Sequence, residues 1–193
     1  MAYSDHVLNA FALAFDLHRN QMRKDSEIPY VTHLMGVAAI VGDYGGSEAQ
    51  VIASLLHDAV EDQGGKDTLA IIQERFGEEV AGYVLACSDT HISPKPPWLE
   101  RKKAFLTEVA KASPEVKLIV AADKLHNLRT ILKDLRIVGD MVWRRFNGGR
   151  DGSLWYHAEI VRALGQGWSH PLLVELADTV DALHRAAARA DGS

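Results

Sequence analysis

Apolar residues recur along this chain at spacings of three and four, the period of helices. No alternating run long enough for a strand stands out. The first predicted helix spans about 4–20, with Phe11, Leu13, Phe15 and Leu17 among its apolar positions. RKDSEIPY (23–30) follows as a non-helical approach, because Pro29 disfavours helix at the residue before it. A second helix covers about 33–44, capped by Thr32 and ended by Gly45-Gly46. Ser47 with Gln50 three residues on is a capping-box pattern. It opens a third helix that carries LLHDAVED (55–62) and closes at Gly64-Gly65. Two short helices near 67–76 and 78–88 part at Gly77, and THISPKPP (90–97) is a stiff loop. Trp98–Lys111 is helical. Ser113-Pro114, a cap followed by proline in the first turn, starts a long helix to about Lys133. Helices near 137–146, 153–165 and 171–190 complete the chain, with RFNGGRDGS (145–153) as a loop between the first two. The pattern predicts an all-α fold, one domain over 1–193, long enough to bury a sizeable core.

Two of these helices break the rule that charge faces water. At 100° per residue, Val51, Ala53, Leu55, Leu56, Ala59 and Val60 fill one face of the third helix. Ser54, His57, Asp58, Glu61 and Asp62 fill the opposite arc, with His57/Glu61 and Asp58/Asp62 stacked at i, i+4. A solvated face would have this shape, but three acids without a base repel one another. The helix PEVKLIVAADKLHNLRTIL (114–132) is apolar on two sides. Leu118, Ala121, Leu125, Leu128 and Leu132 make one face; Val116, Ile119 and Val120 make the other. Asp123, Asn127 and Thr130 lie on that second face, so Asp123 is predicted to be buried. An ionised carboxylate there needs a cation. On the wheel Lys124 and Arg129 point elsewhere, which leaves an Arg from another helix or a metal ion. His33, among Val31, Leu34 and Val37, is either a satisfied core histidine or the imidazole such a site would want. His126 lies on a different face from Asp123. Mixed nitrogen and oxygen ligation suits Mn²⁺, Fe²⁺, Zn²⁺ or Co²⁺.

Charge narrows the partners. A formal net charge of −5 argues against a nucleic-acid polymer but leaves room for a small phosphorylated ligand held by a local basic patch. No segment approaches the ~18 uninterrupted apolar residues of a membrane span, and the N-terminus lacks the pattern of a secretory signal. The single cysteine, Cys87, sits in an apolar run and reads as a core thiol. A reducing cytoplasm is the expected compartment.

RKDSEIPYVTHLMGVAAIV, ASLLHDAVED, IIQERFGEEVAGYVLACSD and VKLIVAADKLHNLRTIL follow one another in this order. Together they resemble the hydrolase domain of the RelA/SpoT homologues, within the HD metal-dependent phosphohydrolase superfamily, which degrade the alarmone (p)ppGpp. The likeness is close over roughly 20–135 and looser beyond. With no room for further domains, the chain is similar to a stand-alone small alarmone hydrolase of the stringent response. The resemblance implies that His33, His57, Asp58 and Asp123 hold a divalent metal, usually Mn²⁺. Glu61 and Asp62 would handle the attacking water. Arg23 and Lys24 would contact the nucleotide, and Asn127 and Thr130 its ribose and phosphates. Leu34 stands where a proline often follows the first metal histidine, and Asp25 where some members carry a serine near the base. The implied reaction is hydrolysis of the 3′-pyrophosphate to GDP or GTP and pyrophosphate. (pp)pApp and the 2′-phosphate of NADPH are alternative substrates of the same site, and a nucleotide-binding module without catalysis is the non-enzymatic alternative.

Overall fold

Serines start three of the helices, each by the same chemistry: a hydroxyl oxygen takes up one of the backbone N–H groups that a first turn leaves unbonded. In the computed structural model, which describes residues 3–89 and 96–190, Ser4 caps α1 (Asp5–Leu17) through the His6 N–H at 3.2 Å. Ser47 caps α3 (Glu48–Leu56) in the expected capping box, with the Gln50 side chain returning to the Ser47 N–H at 2.8 Å. Ser113 caps α7 (Pro114–Val138). Between α1 and α3 lies α2 (Val31–Asp43). It begins earlier than the sequence suggested and is not capped by Thr32, whose hydroxyl donates back to the Pro29 carbonyl at 2.8 Å.

The third predicted helix is broken. α3 stops at Leu56, His57 and Asp58 make a turn, and α4 (Ala59–Asp62) resumes for one turn. α5 (Gly65–Cys87) kinks at Gly77, where φ of 89° suits a residue without a Cβ. α6 (Trp98–Lys111) follows a loop expected at 90–97, of which 90–95 lie outside the described residues. α7 outruns its predicted end because Ile131 and Leu135 continue the buried pattern, and Gly139, at φ 58°, stops it. The helix expected over 137–146 is instead the tail of α7 and a 3₁₀ segment, Gly139–Arg145. α8 (Gly149–Leu164) starts inside the predicted 145–153 loop, and α9 (Pro171–Ala190) ends the described chain. Gly148, in the turn as expected, and Gly152, inside α8 where a loop was expected, both serve packing. A Cβ at Gly148 would come within 2.6 Å of the Trp98 ring, and one at Gly152 within 3.1 Å.

α7 is the axis of the molecule and packs on α2, α3, α5, α6, α8 and α9. Val116 to Asp123 is buried without interruption. Each buried aliphatic side chain in that run contributes roughly 1.5–3 kcal/mol. Even Lys117 is inside, its ammonium donating to the carbonyls of Ala110 and Gln166 at the ends of α6 and α8. The two-sided apolar pattern thus does mark the central helix. Among the described residues no helix is long and apolar enough to cross a membrane.

Candidate active site

Four side chains from three places in the fold converge. His33 comes from the first turn of α2, His57 and Asp58 from the break between α3 and α4, and Asp123 from the middle of α7. His33 Nε2 lies 3.2 Å from Asp123 Oδ1 and 3.6 Å from Asp58 Oδ2. His57 Nε2 lies 3.0 Å from Asp58 Oδ2 and 3.7 Å from Asp123 Oδ1. The histidines are 1 % and 2 % exposed and Asp123 7 %, so this is no solvated face. His57 closes α3 with helical backbone angles and its ring inside the protein.

The protonation pattern at His57 tests whether an ion fits. Its Nδ1 faces the Ser54 carbonyl at 2.8 Å, and a carbonyl only accepts, so the proton sits on Nδ1. The Nε2 edge faces two carboxylates, and that buried nitrogen has no hydrogen-bond partner, so it either carries a second proton or offers its lone pair to a cation. Lone pair facing carboxylate is repulsive unless a cation lies between. Burial opposes charging His57, but the Asp58 and Asp123 carboxylates outweigh it and hold the ring well above the ordinary histidine range. Burial likewise works against ionisation of the two carboxyls. His57 beside Asp58, and Lys124 beside Asp123, nonetheless keep both well below the usual range. A divalent ion satisfies the same oxygens and the orphan nitrogen at once, and His33, His57 and Asp58 have ligand atoms close enough to share one.

Asp123 does have a local base, contrary to the helical wheel. The Lys124 ammonium folds back to Oδ2 at 2.6 Å, while Asn127 donates to Oδ1 at 2.6 Å. The long methylene stem lets the charge leave the direction of its Cα. Tyr30 donates to Asp58 Oδ2 at 2.6 Å, and burial followed by the Asp58 charge pushes the phenol far up. His33 Nδ1 lies 2.8 Å from Nδ1 of His126. Burial, with His33 and Arg23 nearby, lowers His126 to about 4.

Tyr30, His33, Asp58, Asp123, Lys124 and Asn127 border a cavity of about 190 Å³ that Glu61, Asp62, Cys87 and Asp89 also line. Glu61 accepts the Asp89 N–H at 3.1 Å and lies 3.8 Å from Arg101. Asp62 accepts from Gln21 at 2.9 Å. Cys87, read as a core thiol, is half-buried in this wall, and burial pushes its pKa up.

A second cavity, of about 530 Å³, adjoins the first through a shared wall of Arg23, Tyr30, Arg101, Lys102, Lys124 and Asn127. Seven cations line it: Arg23, Lys24, Arg101, Lys102, Lys124, Lys133 and Arg145. Its one lining carboxylate, Asp134, is held by Arg145 at 2.5 Å. In a chain of net charge −5, that concentration of positive charge marks the place for a polyanion. Arg23 donates to Asn127 at 2.7 Å, which links the cavity wall to Asp123. Lys24 approaches Asn147 at 3.5 Å, and Thr130 lines the wall with its hydroxyl on the His126 carbonyl. Asp25 is exposed at φ 50° and does not line the cavity; its neighbour Ser26 does. Arg101, Lys102, Arg145 and Asp89 went unnoticed in the sequence, and Lys124 was set aside on the helical wheel. ERKK in α6 looked like ordinary helix surface, although Lys102 and Arg101 both pair with Asp89, Lys102 at 2.7 Å.

An all-helical protein with two imidazoles and two carboxylates beside a cationic cavity has the build of a metal-dependent phosphohydrolase. Residues 10–153 match the HD domain family, and the chain belongs to it. It is 38 % identical to the Xenopus tropicalis guanosine-3′,5′-bis(diphosphate) 3′-pyrophosphohydrolase MESH1, over 65 % of this chain and 69 % of that protein. Against the Homo sapiens MESH1 the identity is 40 % over the same shares. A solved structure described as a metazoan orthologue of SpoT that hydrolyses ppGpp superposes with a TM-score of 0.77. It is 30 % identical, and the match covers 94 % of this chain and 97 % of the other. The protein lmo0812 of Listeria monocytogenes matches at a TM-score of 0.70 and 33 % identity, over 79 % and 99 %. The resemblance to RelA/SpoT hydrolases read from the motifs is borne out.

Proposed function

We propose that the protein is a guanosine-3′,5′-bis(diphosphate) 3′-pyrophosphohydrolase, acting as one HD hydrolase unit in the cytoplasm. The observation that carries this is the buried His33–His57–Asp58–Asp123 cluster at a small cavity that shares a wall with a larger one lined by seven cations. The relatives named for this activity supply the substrate class.

His33, His57, Asp58 and Asp123 would hold the divalent ion, and their mixed imidazole and carboxylate donors suit Mn²⁺. Such an ion supplies Lewis acidity toward a phosphate oxygen and toward water. Glu61, with Asp62, orients the attacking water and takes its proton. The water oxygen bonds to the 3′-phosphorus, the bond from phosphorus to O3′ breaks, and O3′ leaves with a proton to give GDP or GTP and pyrophosphate. Arg101, Lys102 and Lys124, in the wall shared by the two cavities, neutralise the diphosphate next to the cleavage site. Arg23, Lys24, Asn127 and Thr130 hold the rest of the nucleotide.

Product analysis tests this. With Mn²⁺ present, ppGpp and pppGpp should each release one pyrophosphate. Faster turnover of ppApp would move the preference to adenine, and release of orthophosphate from NADPH with none of pyrophosphate from ppGpp would overturn the proposal.

A further inference from the structure

His126 belongs to neither the ligand set nor the nucleotide contacts assigned above, yet it touches the metal cluster from behind. Its Nδ1 lies 2.8 Å from Nδ1 of His33, with ring centroids 4.8 Å apart. Two ring nitrogens at that distance share one proton, and the tautomer of one fixes that of the other. His33 can offer Nε2 to an ion only with its own proton on Nδ1. His126 must then accept at Nδ1 and carry its proton on Nε2.

The helix opposite is built to allow this. Gly36 lies one turn after His33 on α2, and a Cβ there would sit 2.3 Å from both Cδ2 and Nε2 of His126. The imidazole edge therefore rests on the α2 backbone in a slot that any side chain would fill. Gly36 has helical geometry, so backbone conformation does not ask for a glycine at this position. The space does.

We infer that His126 is a positioning residue, seated by Gly36, that fixes His33 in the tautomer whose Nε2 lone pair faces the metal centre. This rests on the metal-site reading proposed above. A hydrogen-bonded partner behind a ligating histidine typically changes metal affinity by about 10–100-fold.

The experiment is Mn²⁺ titration calorimetry on metal-stripped full-length protein, with the melting temperature followed in parallel. His126→Ala and His126→Phe should weaken Mn²⁺ binding by about 10–100-fold. His126→Asn should keep near wild-type affinity, because its amide oxygen can accept where Nδ1 stood. Gly36→Ala should weaken binding in the wild-type background and have no further effect on affinity in His126→Ala, where the slot is empty. In the Zn²⁺-loaded wild type, ¹⁵N spectra of the histidines should show His33 protonated at Nδ1 and His126 at Nε2. Unchanged Mn²⁺ affinity in His126→Ala, or a proton on His126 Nδ1, would overturn the inference while leaving the metal site standing. Wild-type protein that binds no Mn²⁺ would overturn both.

Discussion

The two adjoining cavities differ in their balance of charge. The smaller is walled by Asp58, Glu61, Asp62, Asp89 and Asp123 with His33; the larger is lined by ammonium and guanidinium groups and a single carboxylate. Arg23, Arg101, Lys102 and Lys124 border both. On the proposed function, gathering the carboxylates on one side would let it hold a metal ion and a water while the other holds the anion to be cut. Mixed throughout, the same residues would neutralise one another.

Substitutions at the acidic side should have the largest effects. His57→Ala or Asp58→Asn should remove metal binding and lower turnover by at least about 10³-fold, the scale of several kcal/mol of lost charge stabilisation. The melting curve should still show a folded protein. Turnover that survives would show that the cluster is only a buried ion-pair network. Glu61→Gln is expected to keep the metal and lose about 10²–10⁴-fold in kcat, the range for a lost proton acceptor. An unchanged kcat would move the water-handling role elsewhere in the acidic cavity.

On the basic side the effects should fall on KM and depend on salt. Lys102 is largely buried over the Tyr156 ring, and burial, then Lys124, lowers its pKa. Lys102→Ala should raise KM by roughly 10–100-fold, the worth of one charge-assisted hydrogen bond. Lys24 is exposed, so Lys24→Ala should raise KM by less, and the difference should shrink as salt is added. Equal effects would mean that the polyanion does not reach the shared wall.

A further effect concerns stability alone. His157 lies in the wall of the large cavity, 7 % exposed, and burial lowers its pKa to about 4. The unfolded chain takes up this proton near pH 6.5 and the folded chain only near 4. Stability is therefore lost as pH falls through that window, by on the order of 3 kcal/mol for this group. Denaturant titrations of His157→Leu should show a shallower decline between those pH values. A decline as steep as in the wild type would assign it to other groups.

The acidic side was the legible one. His57, Asp58, Glu61 and Asp62 fall within six consecutive residues, and Asp123 betrayed itself as a carboxylate on a helix with two apolar faces. Their neighbours in space were less so. The wheel set Lys124 apart from Asp123, because a wheel records where a Cα points and not where a flexible side chain ends. Arg101, Lys102 and Arg145 reach one cavity from α6 and the 3₁₀ segment, and nothing in local periodicity announces that convergence. The break at His57-Asp58 was also hidden, since both residues keep near-helical backbone angles through the turn that joins α3 to α4. Gly152 misled in the other direction, as a glycine that makes room for Trp98 inside α8 read like part of the 145–153 loop.

The central claim is that the buried cluster is a metal site on which hydrolysis depends. Strip the wild-type protein with a chelator, return Mn²⁺ in measured portions, and follow pyrophosphate release from ppGpp. The account predicts no release from the stripped protein and recovery that saturates at one ion per chain. Full release from the stripped protein would contradict it.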